Sequence, residues 1–282
     1  MSPFSRIGII GAGRVARAMA LALGRHAAAP PLIWARDPAR ARAAAVPVGA
    51  SVAASLAAIA ACDLIVIAVS DDAIAPVVAA LAPAIGDSPF IFHVSGRSGA
   101  ALLAPLAAWG ARTAAIHPAM TFTGDPRAEM VRMVDAHFAV TSGTAMAQAR
   151  QVVALLGGVA VEIAEDRRTL YHAALCHAAN HLVTLIAGSC DALAAAGVAQ
   201  PHALVAPLVR AALDNSLEAG FAALSGPLLR GDAETIAGHV AAIGTGHAPL
   251  LPAYRAMAQA TLDMLAGTGH PPSDSMRQNL GE

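Results

Sequence analysis

The sequence predicts a two-part α/β protein. A doubly wound, mostly parallel sheet occupies residues 1–164, and an all-helical domain occupies residues 165–282. Three observations predict this. Short, continuously apolar runs alternate with Ala-rich helical stretches through the first half, as expected of strands buried on both faces between helices. The strand signals stop near Glu165. From Asp166 onward the chain consists of long Ala/Leu-rich helical stretches punctuated by Gly197, Gly220, Gly231 and Gly267.

The first strand is Ile7 to Ile10, followed by a tight turn and an Ala-rich helix. Gly11, Gly13 and Ala16 match G-x-G-x-x-A between a strand and a helix. Gly11 permits the sharp turn, Gly13 leaves room for a pyrophosphate, and Ala16 lets the helix pack on the strand. Free N–H groups at the positive end of the helix dipole then face the phosphates. Dinucleotide binding follows, through Gly11, Ala12, Gly13, Arg14 and Val15. The second strand, Pro31 to Arg36, places Ala35 where an NAD site carries an acid, and Arg36 comes next, with Arg40 and Arg42 in reach. Asp37 before Pro38 reads as a helix N-cap. The expected cofactor is therefore NADP(H), with Arg36 on the 2′-phosphate.

Helices are expected over Pro38 to Ala45 and Ser51 to Ala61. The strand Asp63 to Val69 delivers Val69 and Ser70 to the cofactor edge, and Asp71 or Asp72 reads as the cap of the next helix. The strands Phe90 to Gly96 and Arg112 to Ile116 bring His93, Ser95, His117 and Thr121 to their carboxyl ends, the edge where ligands bind in open α/β sheets. Two strands, 136–141 and 159–163, with a helix from Met146 to Leu156 between them, complete the sheet.

Helices over 167–196, 201–219, 233–242 and 248–265 make up the second half. His172, Cys176 and Asn180 are four residues apart and share one face. His177 and His181 share another and read as structural histidines rather than a metal pair, because no third ligand stands beside them. Arg230 suits a substrate carboxylate, and Asp232 caps the helix after it. The tail beyond Gly267 is expected to be poorly ordered.

The net charge of -1 gives no reason for a nucleic-acid or membrane partner. No basic leader or membrane-spanning run is expected, and Cys62, Cys176 and Cys190 read as reduced thiols in a cytoplasmic protein. All 18 basic residues counted as Lys+Arg are arginines, so no mechanism can use a lysine.

Taken together, the glycine turn, His93-x-Ser95-Gly96, His117-Pro118, Thr121-Phe122, Tyr171-His172-Ala173-Ala174, Asn180 and Gly226-Pro227…Arg230-Gly231-Asp232 resemble a group of Rossmann-like oxidoreductases. In that group the helical half is a domain of unknown function. The group is related to the 6-phosphogluconate dehydrogenase, pyrroline-5-carboxylate reductase and ketopantoate reductase families. Those relatives usually place a catalytic Lys four residues before an Asn; here Asn180 matches the Asn and Cys176 stands in the Lys position. Prephenate and arogenate dehydrogenases carry a Ser after the fifth strand hydrogen-bonded to the His of a His-Pro motif. Ser95 and His117 match that pair, and Ala119-Met120-Thr121 departs from the rest of the motif.

The residues and the resemblance together imply an NADPH-dependent reductase of a small keto or imino acid. His117 would be the acid, with an imidazole that titrates near neutrality and is oriented by Ser95. His172 stands in reserve, Asn180 holds the substrate oxygen, and His93 and Arg230 contact the substrate. Two other readings fit: oxidation of a hydroxy acid, and a regulatory protein that binds NADP without turnover. The resemblance further implies a homodimer joined through residues after Asp166.

Overall fold

The computed structural model describes residues 4–86, 88–269 and 273–281. Eight strands form one sheet in the order β3-β2-β1-β4-β5-β6-β7-β8. They are β1 (Ile7–Ile10), β2 (Leu32–Trp34), β3 (Ser51–Val52), β4 (Leu64–Ile67), β5 (Phe90–His93), β6 (Arg112–Pro118), β7 (His137–Thr141) and β8 (Val159–Glu162). Neighbours pair in parallel except β6 and β7, which are antiparallel. The helices between them are α1 (Arg14–Gly24), α2 (Pro38–Ala45), α3 (Leu56–Ala60), α4 (Asp71–Leu81), α5 (Ala104–Ala108), α6 (Pro126–Met133) and α7 (Met146–Leu155).

Successive side chains of a strand leave opposite faces, and the core divides accordingly. Leu64 and Val66 of β4 join Ile7, Ile9, Phe90, Phe92 and Phe138 on one face. Ile65 and Ile67 join Ile10, Ile59, Leu81 and Ile91 on the other. Burial on both faces is why these strands read as unbroken apolar runs. The helices begin on local signals: Asp37 accepts from the Ala39 N–H at 2.8 Å, Ser55 from Ala58, and Asp125 from Arg127 and Ala128.

Three expectations change. Residues 51–61 are not one helix: Ser51–Val52 pairs with β2 as an edge strand, and α3 starts only after Ser55 caps it. Neither Asp71 nor Asp72 is a cap. Ser70 holds the N-cap position and both acids lie in the first turn of α4, where the helix dipole favours them. The chain beyond Gly267 is also not featureless. Residues 274–280 form a helix that buries Met276 and Leu280, although residues 270–272 and 282 lie outside the described ones.

The chain separates into two compact units, Met1–Leu175 and Cys176–Glu282. The long helix α8 (Arg168–Ala195) begins in the first and runs on into the second. The second unit continues with α9 (Pro201–Ala219), α10 (Pro227–Arg230), α11 (Ala233–Gly246), α12 (Leu251–Gly267) and α13 (Asp274–Leu280). Its buried core is small, formed by Ile236, Ala258, Leu262, Leu265, Met276 and Leu280. The Asp232 side chain caps α11 through the Thr235 N–H at 3.1 Å.

Two glycines of the first turn differ in why they are glycines. Gly11 has φ +130°, and a Cβ there would run into the Ala68 carbonyl. Around Gly13 a Cβ would meet nothing within 4 Å. Gly11→Ala is therefore expected to lower stability by about 1–3 kcal/mol or more, while Gly13→Ala stays within about 0.5 kcal/mol. Urea unfolding of both variants checks this, and equal midpoints would contradict it.

Candidate functional site

A cavity of about 600 Å³ opens at the carboxyl ends of β1, β2 and β4, where the strand order reverses and where open α/β sheets bind ligands. Gly11, Ala12 and Gly13 form one wall, Trp34, Ala35 and Arg36 another, and Val69 and Ser70 a third. Arg40 also lines it.

Of the residues expected around a dinucleotide, Gly11, Ala12, Gly13, Arg36, Val69 and Ser70 line this cleft. Arg14 heads α1 at its rim, and its guanidinium donates to the Phe122 carbonyl at 3.1 Å. Val15 follows inside the helix. The N-terminus of α1 has no side-chain cap and no acid in its first turn. Its first N–H groups and its dipole favour an anion there, and Gly13 keeps the approach open. Asp37, though a lining residue, already uses its carboxylate to cap α2. Arg36 and Arg40 are the cations of the cleft. A diphosphate with a further phosphate on its ribose fits this donor set.

A second cavity of about 310 Å³ lies at the opposite edge of the sheet, lined among others by Arg6, Asp63 and Arg112. It is smaller than the first.

Two sheet neighbours beyond β1, a second cluster gathers at the ends of β5 and β6. His117 is the penultimate residue of β6. Its Nδ1 lies 2.9 Å from the Tyr171 hydroxyl, and the two rings meet edge to face at 5.7 Å. His172 meets His117 in the same way at 5.8 Å. The turn after β5 packs on both imidazoles. A Cβ at Gly96 would stand 3.0 Å from His117 Nε2 and would overlap His172. Only glycine fits there.

Arg168, the first residue of α8, ties the cluster together and is fully buried. Its guanidinium donates to the Ser95 carbonyl at 2.7 Å and to Thr141 Oγ1 at 3.1 Å. It also lies 6.0 Å from the centre of the Tyr171 ring. Burial, the Arg168 cation and His172, in that order, push the His117 pKa down to about 4. Burial raises that of Tyr171, and the Arg168 cation opposes the rise.

The structure redistributes several expected roles. Ser95 does not orient His117: its hydroxyl accepts from the Ser98 N–H at 3.2 Å, and Tyr171 holds the ring instead. His117 does not titrate near neutrality, because burial and the neighbouring cation oppose its charged form. His93 is scaffold rather than a substrate contact. It is fully buried, its Nε2 donates to the Gly99 carbonyl at 2.9 Å, and its Nδ1 accepts from the Ser95 N–H at 3.2 Å. Both nitrogens are thus used to shape the Ser95–Gly99 loop, and burial lowers its pKa. His172 lies in the cluster, edge to face with His117. Asn180 and Arg230 belong to the second unit, where both side chains are exposed. His177 and His181 pair with each other, Nδ1 to Nδ1 at 2.9 Å. Among the described residues no group of three or more metal-binding side chains forms.

Arg168 and Tyr171 were not foreseen as site residues. A signal for Arg168 existed: a cation at the start of a helix opposes the dipole, so a tertiary partner is needed to explain it.

Residues 2–118 match the model of a Rossmann-like domain, and residues 136–261 match DUF2520, a domain of unknown function. No curated protein matches the chain. Among solved structures, the chain resembles an assigned NADP oxidoreductase from Bacteroides fragilis with TM-score 0.74 and 19% identity, over 91% of this chain and 97% of that one. It resembles a reductive aminase from Aspergillus terreus, solved with NADPH and ethyl levulinate, with TM-score 0.65 and 21% identity, over 96% and 97%. A pyrroline-5-carboxylate reductase from Coxiella burnetii gives TM-score 0.57 and 15% identity, over 76% and 80%. The chain thus pairs a region that matches a Rossmann-like domain with one that matches the DUF2520 domain.

Proposed function

We propose that this protein is an NADPH-dependent oxidoreductase that reduces a small keto or imino acid. The observation that carries the reading is the first cleft. An uncapped helix start, a glycine that nothing in the chain itself requires and two arginines share one cavity. Gly11 to Val15 would hold the diphosphate, Arg36 and Arg40 the 2′-phosphate, and Val69 and Ser70 the path toward the second cluster. Adjacent strands are about 4.8 Å apart, so the His117 cluster, two strands beyond β4, stands about 10 Å further on. The cleft and the cluster both lie along the carboxyl edge of the sheet, where open α/β sheets bind ligands. When bound, NADPH would supply the hydride. His117 then donates to the oxygen or nitrogen that becomes anionic. The similar reductive aminase and pyrroline-5-carboxylate reductase structures support an imine or carbonyl acceptor.

Residues 1–164 would hold the cofactor, and residues 165–282 would serve substrate binding and dimerisation, with Asn180 and Arg230 as substrate contacts. Leu208 and Leu217 of α9 are 68% and 77% exposed, and Val183 of α8 is 69% exposed. A span within Glu165–Ala195 is long and apolar enough to cross a membrane, and 6% of it is buried. Polar residues including His177, Asn180, His181 and Asp191 interrupt that helix. A second copy of this chain is therefore the partner we propose for it, in a cytoplasmic homodimer. Apolar faces of this extent, beside so small a core, need another protein surface.

Mixing the protein and NADPH with a panel of 2-oxo acids, with and without ammonium or alkylamines, tests the proposal by cofactor oxidation. Cofactor binding without turnover of any member would favour the regulatory reading, and turnover only of hydroxy acids with NADP would favour the dehydrogenase.

NADPH should bind more tightly than NADH, and Arg36→Ala should remove about tenfold to a hundredfold of that preference, the worth of one charge-assisted contact. Equal dissociation constants in the wild type would refute this. His117→Ala should lower turnover by about 10²–10⁴ and leave the Kd for NADPH within a few-fold; near-normal turnover would remove His117 from the mechanism. Light scattering at micromolar concentration should report a dimer, and a monomer would overturn the assembly.

A further inference from the structure

His117 as proton donor meets a difficulty that the cluster itself resolves. The ring is neutral near pH 7, because burial, the Arg168 cation and His172 oppose its protonation more than the Asp71 carboxylate favours it. A neutral imidazole can donate only from the nitrogen that bears its proton, and it is left anionic unless its other nitrogen gains a proton at the same time. Nδ1 faces the Tyr171 hydroxyl at 2.9 Å, which leaves Nε2 as the nitrogen that can give its proton to a substrate. Gly96 packs beside Nε2 without a side chain to crowd it; a Cβ there would sit 3.0 Å from that nitrogen.

We propose that Tyr171 is the positioning residue and proton reserve of His117: its hydroxyl donates to Nδ1, keeps the ring proton on Nε2, and passes its own proton to Nδ1 as Nε2 gives its proton away. The inference rests on the reductase reading above. The balance is simple. Hydride transfer leaves an anionic oxygen or nitrogen on the product, the Nε2–H bond breaks and a bond from that proton to the product forms. The phenol O–H bond breaks, an Nδ1–H bond forms, and the ring ends neutral in its other tautomer. The negative charge comes to rest on the phenolate, beside the Arg168 guanidinium 6.0 Å from its ring centre. Water then delivers a proton to Nε2 as Nδ1 returns its proton to the phenolate, and the resting tautomer is restored. Two neutral acids in series thus replace one imidazolium.

Two readouts on the full-length protein test this. The first is the His117 tautomer by long-range proton–nitrogen NMR on histidine-labelled protein bound to NADPH. The second is steady-state kinetics with whichever 2-oxo acid of the panel is turned over. In the wild type the ring proton should sit on Nε2 across about pH 6–8, with no break in kcat at the ordinary histidine pKa of about 6.5. Tyr171→Phe keeps the ring and its edge contact and removes only the hydroxyl. It should leave a mixture of tautomers and lower kcat by about tenfold to a hundredfold, less than loss of the imidazole itself, with KM and the Kd for NADPH within about threefold. A merely structural Tyr171 would move neither tautomer nor kcat. A wild-type ring protonated on Nδ1, or a Tyr171→Phe variant with unchanged tautomer and kcat, would overturn the proposal. If no panel member is turned over, the reductase reading fails by itself and the tautomer alone decides whether Tyr171 positions His117.

Discussion

The buried Arg168 guanidinium is the constraint on which the candidate chemistry depends. No ion pair to it forms among the described residues; carbonyl and hydroxyl oxygens from the β5 loop and from β7 hold it instead. Burying a cation without a carboxylate is costly, and its position at a helix start adds to the cost. In return one side chain joins three elements that are far apart in sequence: the Ser95 turn, the antiparallel strand β7 and the start of α8. Tyr171 and His172 lie one turn along α8 and are therefore delivered to His117 in a fixed register. The antiparallel β7 has a purpose here, because it presents Thr141 and the Ala139 carbonyl to the same guanidinium.

Much of the fold was legible because each part of the first unit follows local rules. Continuous apolar runs marked β1, β4 and β5, and Asp37-Pro38 marked the start of α2 to the residue. The short edge strand β3 was missed because Ser51–Val52 is exposed on both residues and carries no apolar signal. The C-terminal helix α13 was missed because it buries only Met276 and Leu280, and its polar remainder reads as tail. In both cases pairing or packing by distant residues, invisible to a local pattern, decides the structure.

The site was legible in position but not in partnership. Glycine spacing located the cleft, and strand ends located His93, Ser95 and His117, since topology alone brings those to one edge. Which of them touch is a matter of ångströms. Nothing in the spacing of His93 says that both its nitrogens are consumed by its own loop, and nothing near Ser95 says that its hydroxyl turns toward Ser98. The partner of His117 lies 54 residues away on α8.

Trp34 gives the cleft an optical consequence. The protein has 2 tryptophans; Trp34 lines the cleft, whereas Trp109 is 58% exposed. An indole half-sheltered by the cleft walls emits differently from one in water, and any aromatic base seated beside it changes its emission alone. Occupancy of the cleft is thereby written into the intrinsic fluorescence of the chain, with Trp109 as an internal reference that the ligand does not reach.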